Sequence, residues 1–431
     1  MHGSGIRTGT TTSRPDALTE NPPTARLLEM TRVLALQGRR PSGVDRVCLA
    51  YLRAIVADEL PCFGLVRTWL GYILLDRKGM QAVLACLEGE APWPAPDLLS
   101  RLRHGAGDRR QVTDTLVRRH AIARARPRFL KHILRRHLPA GVAYINVDQT
   151  QLTDRVLAAV KSVPEARVSV FLHDTIPLDH PHYQTPEAVD KLAAILRRCS
   201  AQADQILTNS ETSAAGIRKH MAKLGPVPPI TVAHLGLEAD FFDFVDNAQG
   251  LEIAAPYFVC IGTIEPRKNI PFLLTLWEQM ARSADPEKMP RLVICGRRGW
   301  ESQRVLDRLD NTPLRGKFVL EFNELSDSAL AATLAGSQGL LFPSRAEGFG
   351  LPPLEAAALG IPVVSDNLPV MQEVLADYPI YASVSDVYSW ETIVWSLVAA
   401  DPAAGSTDPD LRKPVCPPTW EAHFNAVLRV T

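Results

Sequence analysis

Residues 339–365 read GLLFPSRAEGFGLPPLEAAALGIPVVS. The run opens on the apolar stretch GLLFP and breaks into a loop that holds Gly348 and Gly350. It resumes in a helix-forming stretch headed by Pro352 and Pro353, then reaches a second short apolar run, Pro362–Ser365. Proline in the first helical turn costs little, because the N–H it lacks has no helical partner there. Strand, glycine loop, helix and strand in that order make one βαβ unit.

Working outward, the same rhythm fills the second half. Apolar runs at Tyr257–Gly262, Arg291–Gly296 and Phe318–Phe322 alternate with segments of helical period such as NIPFLLTLWEQMARS and SDSALAATLAGS. Runs apolar throughout are those of parallel strands buried on both faces. In the first half, strands are expected at Thr31–Leu36, Gly141–Val147, Arg167–Leu172 and Gln205–Thr208, with a helix over 186–203. The predicted fold class is α/β, two Rossmann-like doubly wound domains facing across a cleft. The expected boundaries are a disordered tail over 1–25, a first domain over 26–240, a second over 256–402, and a terminal segment over 403–431 whose helix crosses back to the first. Residues 236–255 read as the linker. In such folds ligands bind at the carboxyl ends of the strands.

At Gly348, Phe349, Gly350 and Leu351 the strand-to-helix turn exposes backbone N–H groups at the positive end of a helix, a site for phosphate. Glu347 stands in the loop mouth and Glu355 in the first helical turn, eight residues apart. Carboxylates accept the paired hydroxyls of a ribose or sugar. Each alone has an ordinary reading, Glu347 as a solvated loop charge and Glu355 as an acid complementing the helix dipole. Neither reading explains why both flank one GFG turn.

This pattern, a Glu-x7-Glu frame around GFGLPPLE, resembles glycosyltransferase family 4, retaining nucleotide-sugar-dependent transferases of the GT-B fold. Three further segments are similar. CIGTIEPRKNI (260–270) looks like the donor-phosphate loop: Lys268 falls on the position that contacts the diphosphate. Thr263 stands where many relatives carry Arg, so that Arg267 either serves instead or is a surface basic turn. VSVFLHDTIPL (168–178) places His173 and Asp174 at the edge that faces the transferred sugar; the plainer alternative for His173 is a strand-end cap, and for Asp174 the ordering of its loop. GRRPSGVDRV (38–47) places Gly43 and Arg46 at the donor or acceptor across the cleft. The resemblance implies Glu347 and His173 at the sugar, and Thr263, Arg267, Lys268, the Gly348–Leu351 turn and Glu355 on the nucleotide part. It also implies no required metal or other cofactor. The HDTIPL segment with its following His-Pro-His-Tyr ranks GDP-mannose first as donor, ahead of UDP-glucose and dTDP-rhamnose. The acceptor then expected is a lipid-linked oligosaccharide or surface polysaccharide. The alternative reading is a degenerate GT-B scaffold that binds nucleotide without turnover.

Composition sets the surroundings. The 431 residues are 46% hydrophobic and 22% charged, with 47 basic and 47 acidic side chains, ordinary values for a globular enzyme that argue against a nucleic-acid binder. Seven scattered cysteines without a C-x-x-C pair point to a reduced, cytoplasmic setting. The neutral total hides a basic segment. Residues 101–137 carry twelve Lys and Arg against Asp108 and Asp114, a local +10 balanced by −10 elsewhere. Its stretch 128–138 alternates Arg128, Lys131, Arg135 and Arg136 with Phe129, Leu130, Ile133, Leu134 and Leu138 at helical spacing. The basic segment, 101–138 as a whole, suits either an anionic membrane surface on the inner face of the cell or a surface helix whose apolar stripe packs on its own domain.

Overall fold

The structure is a computed structural model that describes residues 22–105, 107–238, 241–242, 245, 250–299, 303–400 and 413–431. The first sheet contains β1 (Ala25–Glu29), β2 (Cys62–Thr68), β3 (Gly71–Asp76), β4 (Ala121–Ala125), β5 (Val142–Asn146), β6 (Arg167–Phe171), β7 (Gln205–Thr208) and β8 (Ile230–Val232). Their order is β4-β3-β2-β1-β5-β6-β7-β8, parallel except for β3 and β4. The second sheet contains β9 (Tyr257–Ile261), β10 (Arg291–Cys295), β11 (Val319–Phe322), β12 (Gly339–Phe342), β13 (Val363–Ser365) and β14 (Ile380–Tyr381), ordered β11-β10-β9-β12-β13-β14 and parallel throughout. Strands β1, β5 and β9 are buried at every residue, as parallel strands covered by helices on both faces must be.

The sequence placed the first strand wrongly. Thr31–Leu34 is a helical turn, and the strand is the preceding ARLLE. Arg26 and Glu29 disguise it by putting charges inside a buried strand. Both charged groups have partners, Arg26 in distant parts of the chain and Glu29 in its neighbour Thr31. Arg26 pairs with Asp58 and donates from Nε to the Thr431 carbonyl at 3.1 Å and from Nη2 to that of Leu428 at 3.0 Å. Glu29 accepts from the Thr31 N–H at 3.0 Å and from its hydroxyl. The expected tail accordingly overruns by one residue, since Ala25 already belongs to β1; its residues 1–21 lie outside the described residues. The β2–β3 hairpin was also missed, because its turn carries Trp69 and Leu70 rather than turn-forming residues, so the run reads as continuous.

The basic segment folds as two helices, Leu98–Arg103 and Arg110–Arg119, then β4, then the helix Leu130–His137. Leu130, Ile133, Leu134 and Leu138 are buried against the first sheet. Four of the five apolar side chains of the 128–138 stripe therefore pack on their own domain, while Phe129 stays half exposed.

The second crossing of the chain between the sheets is short. Val415 donates its N–H to Ala357 of the second unit at 2.9 Å, and Thr419 bridges Leu237 at the end of the first. Between them stand Cys416, Pro417 and Pro418. The helix Trp420–Val427 then packs on the first unit, where His423 lies 3.1 Å from the Tyr51 hydroxyl and 3.0 Å from the His234 carbonyl. Cys416 is exposed while the other six cysteines are buried.

Candidate active site

The glycine turn after β12 lies against the carboxyl ends of the first sheet's strands. Gly350 has φ +93°, a left-handed conformation that glycine adopts without steric cost, and from it the helix Leu351–Ala358 begins. Pro352 and Pro353 have no N–H, so the first turn offers donors only at Leu351 and at the capping Gly350. Facing it is the start of the helix Gly43–Ala57, capped by Ser42 and Asp45 in a reciprocal box. A side-chain carbon at Gly43 would lie 3.8 Å from Leu351 Cδ1. Two helix N-termini, each with its partial positive charge, thus meet across the cleft.

One turn along each helix, Arg46 Nη1 reaches Glu355 Oε1 at 2.5 Å, and Arg46 lies 3.9 Å from Glu238, which also binds Arg53 at 3.0 Å. Glu355 is buried. The carboxylate expected to hold ribose is therefore held by an arginine of the opposite unit.

Glu347 is the centre of a second charge cluster. Its Oε1 is 2.6 Å from Lys268 Nζ and its Oε2 is 2.8 Å from Arg267 Nη1. Arg267 also pairs with Glu265 at 2.7 Å and donates to the Ala346 carbonyl at 3.0 Å. Burial alone would raise the Glu347 carboxyl, but Arg267 and Lys268 hold it down at about 2. Lys268 is itself buried and sits over the Phe342 ring at 4.6 Å. It occupies space that a side chain at Gly262 would close, since a Cβ there would stand 2.8 Å from Lys268 Cε. Thr263, next in the chain, is exposed at the mouth of this loop.

Across the seam, His173 Nε2 donates to the Val147 carbonyl at 2.8 Å, which leaves Nδ1 as the acceptor of the neutral ring. Burial pushes this imidazole down to about 4, against the carbonyl's pull. The Asp174 carboxyl is raised by burial, with Arg267 opposing, and its Oδ1 accepts from the Ile176 N–H at 3.0 Å. Gly348 is where the units touch: a Cβ would lie 3.0 Å from the His173 carbonyl and 3.1 Å from Asp174 Cβ. The Gly348 carbonyl accepts from Ser210 at 2.9 Å and from Ser213 at 3.2 Å. Glu373 of the second unit accepts from the N–H groups of Glu211 and Thr212 at 2.6 and 2.9 Å, capping a helix of the first unit, Glu211–Met221, and lies 3.0 Å from His234.

A cavity of about 340 Å³ opens between the units beside Glu347, lined by Asp174, Asp179, His180, Lys219 and Arg345 among others. Asp179 binds Thr175 at 2.5 Å, Lys219 at 2.8 Å and His220 at 2.9 Å. Burial would raise its carboxyl, but Lys219, Thr175 and His220 hold it at about 2. The structure thus brings Glu347, Lys268, Arg267, His173, Asp174 and the 348–351 turn together, and sets Gly43, Arg46 and Glu355 beside them. The sequence reading missed Asp179, Lys219, Arg345 and Glu373. It also missed Glu29 at the end of β1, whose carboxyl burial lifts to about 8 with Asp148 adding to the rise and Thr31 opposing it. Among these only the strand-end position of Glu29 left a signal, and the misplaced first strand hid it. Among the described residues no group of three or more His, Cys, Asp or Glu is arranged to hold a metal ion.

Residues 243–398 match the family model "Glycosyl transferases group 1". A serotype-specific mannosyltransferase, WbdA, of Escherichia coli is 32% identical over 226 residues, covering 49% of this chain and 27% of that one. O-antigen chain mannosyltransferase B of the same organism is 31% identical over 229 residues, covering 52% and 58%. The chain thus spans about a quarter of the first relative's length and little more than half of the second's. In three dimensions it is similar to Anabaena Alr3699/HepE, solved with UDP and glucose, with a TM-score of 0.57, 14% identity and 94% of both chains covered. A sucrose-phosphate synthase of Thermosynechococcus elongatus superposes with a TM-score of 0.54, 14% identity and the same coverage. Residues 243–398 thus form a glycosyl transferases group 1 domain, in a chain distantly related to bacterial O-antigen mannosyltransferases and folded on a GT-B framework.

Proposed function

We propose that the protein is a retaining glycosyltransferase. It moves a hexose, mannose before others, from a nucleotide-sugar donor to a growing lipid-linked oligosaccharide or surface polysaccharide. The observation that carries this reading is the meeting of two helix N-termini beside the buried Lys268 and Arg267, an arrangement complementary to a diphosphate. On this reading Lys268, Arg267 and the N–H groups of Gly350 and Leu351 take the diphosphate. Thr263 borders it, with Gly348 and Phe349 shaping the turn. Glu355 takes the ribose once Arg46 lets go. Glu347 and His173 face the sugar, the neutral His173 offering Nδ1 to a hydroxyl. As the bond from sugar to phosphate breaks, negative charge grows on the leaving diphosphate, and fixed cations in a closed, dry cleft stabilise it where the need is greatest. The 340 Å³ cavity with Asp174, Asp179 and Lys219 is the acceptor site, its charged lining suited to sugar hydroxyls. Residues 26–240 then form the acceptor unit and 256–402 the donor unit. The mannosyltransferase relatives support mannose as the sugar, in keeping with GDP-mannose ranked ahead of UDP-glucose and dTDP-rhamnose.

Calorimetry with GDP, UDP and dTDP, followed by product detection with the labelled sugar donors, tests the reading. Glu355→Ala is expected to weaken the preferred nucleotide by about 1–3 kcal/mol, and unchanged affinity would overturn the ribose assignment. The Arg46–Glu355 pair favours one rival, a scaffold whose ribose site is permanently occupied. Nucleotide binding with no transfer to sugar acceptors or water would select it.

A further inference from the structure

The helix Leu98–Arg103 is mounted with its polar side inward. Ser100 is buried and stands 3.0 Å from the Thr115 hydroxyl. Asp97, which caps the helix, is gripped by Arg118 at 3.0 Å and 2.7 Å. The leucines face outward: Leu98 is 77% and Leu102 84% exposed. This inverts the usual arrangement, in which the apolar side of a short helix is the one that packs.

The outward leucines have neighbours of the same kind. Arg103 lies over the Trp69 ring at 5.0 Å, which joins the helix to the tip of the β2–β3 hairpin, where Trp69 and Leu70 are both exposed. That tip abuts the end of β4, for Tyr72 pairs with Ala125 and a Cβ at Gly71 would come within 3.0 Å of Arg126 Cα. Phe129 follows, half exposed, with Arg128 over its ring at 4.7 Å. Most of the exposed large apolar side chains among the described residues fall in these segments.

The exposed charges on these segments are all positive. Asp108 is paired with Arg110 at 2.7 Å, Asp114 stands 3.1 Å from His104, and Asp97 is held by Arg118. The acids of the region are thus engaged inside it, while Arg101, Arg103, Arg126 and Arg128 are exposed. Apolar tips, one of them tryptophan, inside a cationic rim match the interfacial zone of a bilayer. There indole and leucine enter the headgroup region and arginine meets anionic phosphate. No helix among the described residues is long and apolar enough to cross a membrane, so the attachment is to a surface.

We propose that the face formed by Trp69, Leu70, Leu98, Leu102 and Phe129 within this arginine rim docks on a bilayer that contains anionic lipid. It keeps the basic segment 101–138 as the cationic rim but takes its apolar contacts from the β2–β3 tip, the helix Leu98–Arg103 and Phe129, since Leu130, Ile133, Leu134 and Leu138 are buried. It does not depend on which sugar the enzyme transfers. The test is flotation of the full chain with vesicles of phosphatidylcholine alone and of phosphatidylcholine mixed with phosphatidylglycerol. The parent should float only with the mixed vesicles, and less as salt rises. Leu98→Glu/Leu102→Glu, and separately Trp69→Ser, should lower partitioning at least tenfold while circular dichroism and GDP or UDP binding stay as in the parent. Absence of parent binding to the mixed vesicles overturns the proposal, as does equal flotation of parent and variants. Loss of binding in Arg135→Glu/Arg136→Glu but not in the leucine variant would move attachment to the helix Leu130–His137 and refute it. A parent that is dimeric and lipid-indifferent, with monomeric leucine variants, would make the face a contact between copies and refute it too.

Discussion

Replacing Glu347 by glutamine separates the charge of this carboxylate from its shape. In the folded protein Lys268 and Arg267 hold it at about 2, against a usual 4.5. Each tenfold change in proton affinity is worth about 1.4 kcal/mol, so its ionised form contributes about 3 kcal/mol to folding near neutral pH. That agrees with the ~3–5 kcal/mol lost when one member of a buried pair is removed. Because the folded value is the lower one, the contribution is complete above pH 4.5 and vanishes as pH falls through about 2. Glu347→Gln should therefore cost about 3 kcal/mol at pH 7, and the gap to the parent should narrow steadily below pH 4.5. Urea unfolding followed by tryptophan fluorescence at several pH values measures both. Nucleotide binding should move the other way. With no carboxylate competing for Lys268 and Arg267, GDP or UDP should bind at least as tightly as to the parent, while sugar transfer falls. A stability difference under about 0.5 kcal/mol at pH 7, the size of an exposed pair, would refute the reasoning, as would a difference unchanged at pH 3.

Gly262→Ala should displace Lys268 through the contact with Cε and strain a backbone at φ +141°. Calorimetry should show the nucleotide about tenfold weaker, ~1.4 kcal/mol, and an unaltered affinity would mean that Lys268 does not touch the diphosphate. Glu373→Ala removes the cap that one unit places on a helix of the other. It should lower stability by about 0.5–2 kcal/mol in urea titrations, together with kcat/KM, and a fall in neither would make the seam inconsequential. His173 is pushed down to about 4 in the fold, below its unfolded 6.5. It therefore withdraws stability as pH falls from 6.5 to 4 and stays neutral across the working range. The pH profile of transfer should carry no step from it between pH 5 and 8, and a step near 6.5 that vanishes in His173→Gln would contradict this.

The second sheet was legible for five of its six strands, because most of them are apolar runs between glycine or proline breaks, β14 at the edge being too short to show. Gly339–Phe342 and Tyr257–Ile261 leave no other reading. The first sheet was harder for a reason visible in β1. Buried Arg26 and Glu29 find partners hundreds of residues away or two residues on, and no local pattern can announce a partner at Thr431. The candidate site divides the same way. Glu347 and Glu355 stand in one motif and are found by spacing. Asp179 and Lys219 lie on two elements that meet only in the folded chain, so neither has a periodic or motif signal. Nor did the sequence foretell that Glu355 would be engaged by Arg46, 309 residues away.

The short crossing at Cys416-Pro417-Pro418 has a mechanical consequence. Val415 is tied to one unit and Thr419 to the other, and the two prolines between them have nearly fixed φ. This tether is a stiff strut, poor at absorbing rotation. A swing of the units that admits a donor and closes over it would therefore turn about this strut, which sets the pivot. The exposed Cys416 thiol sits on that pivot with six buried cysteines for company. A single dye attached there would tumble with the strut, and its polarisation would report the swing without any engineered residue.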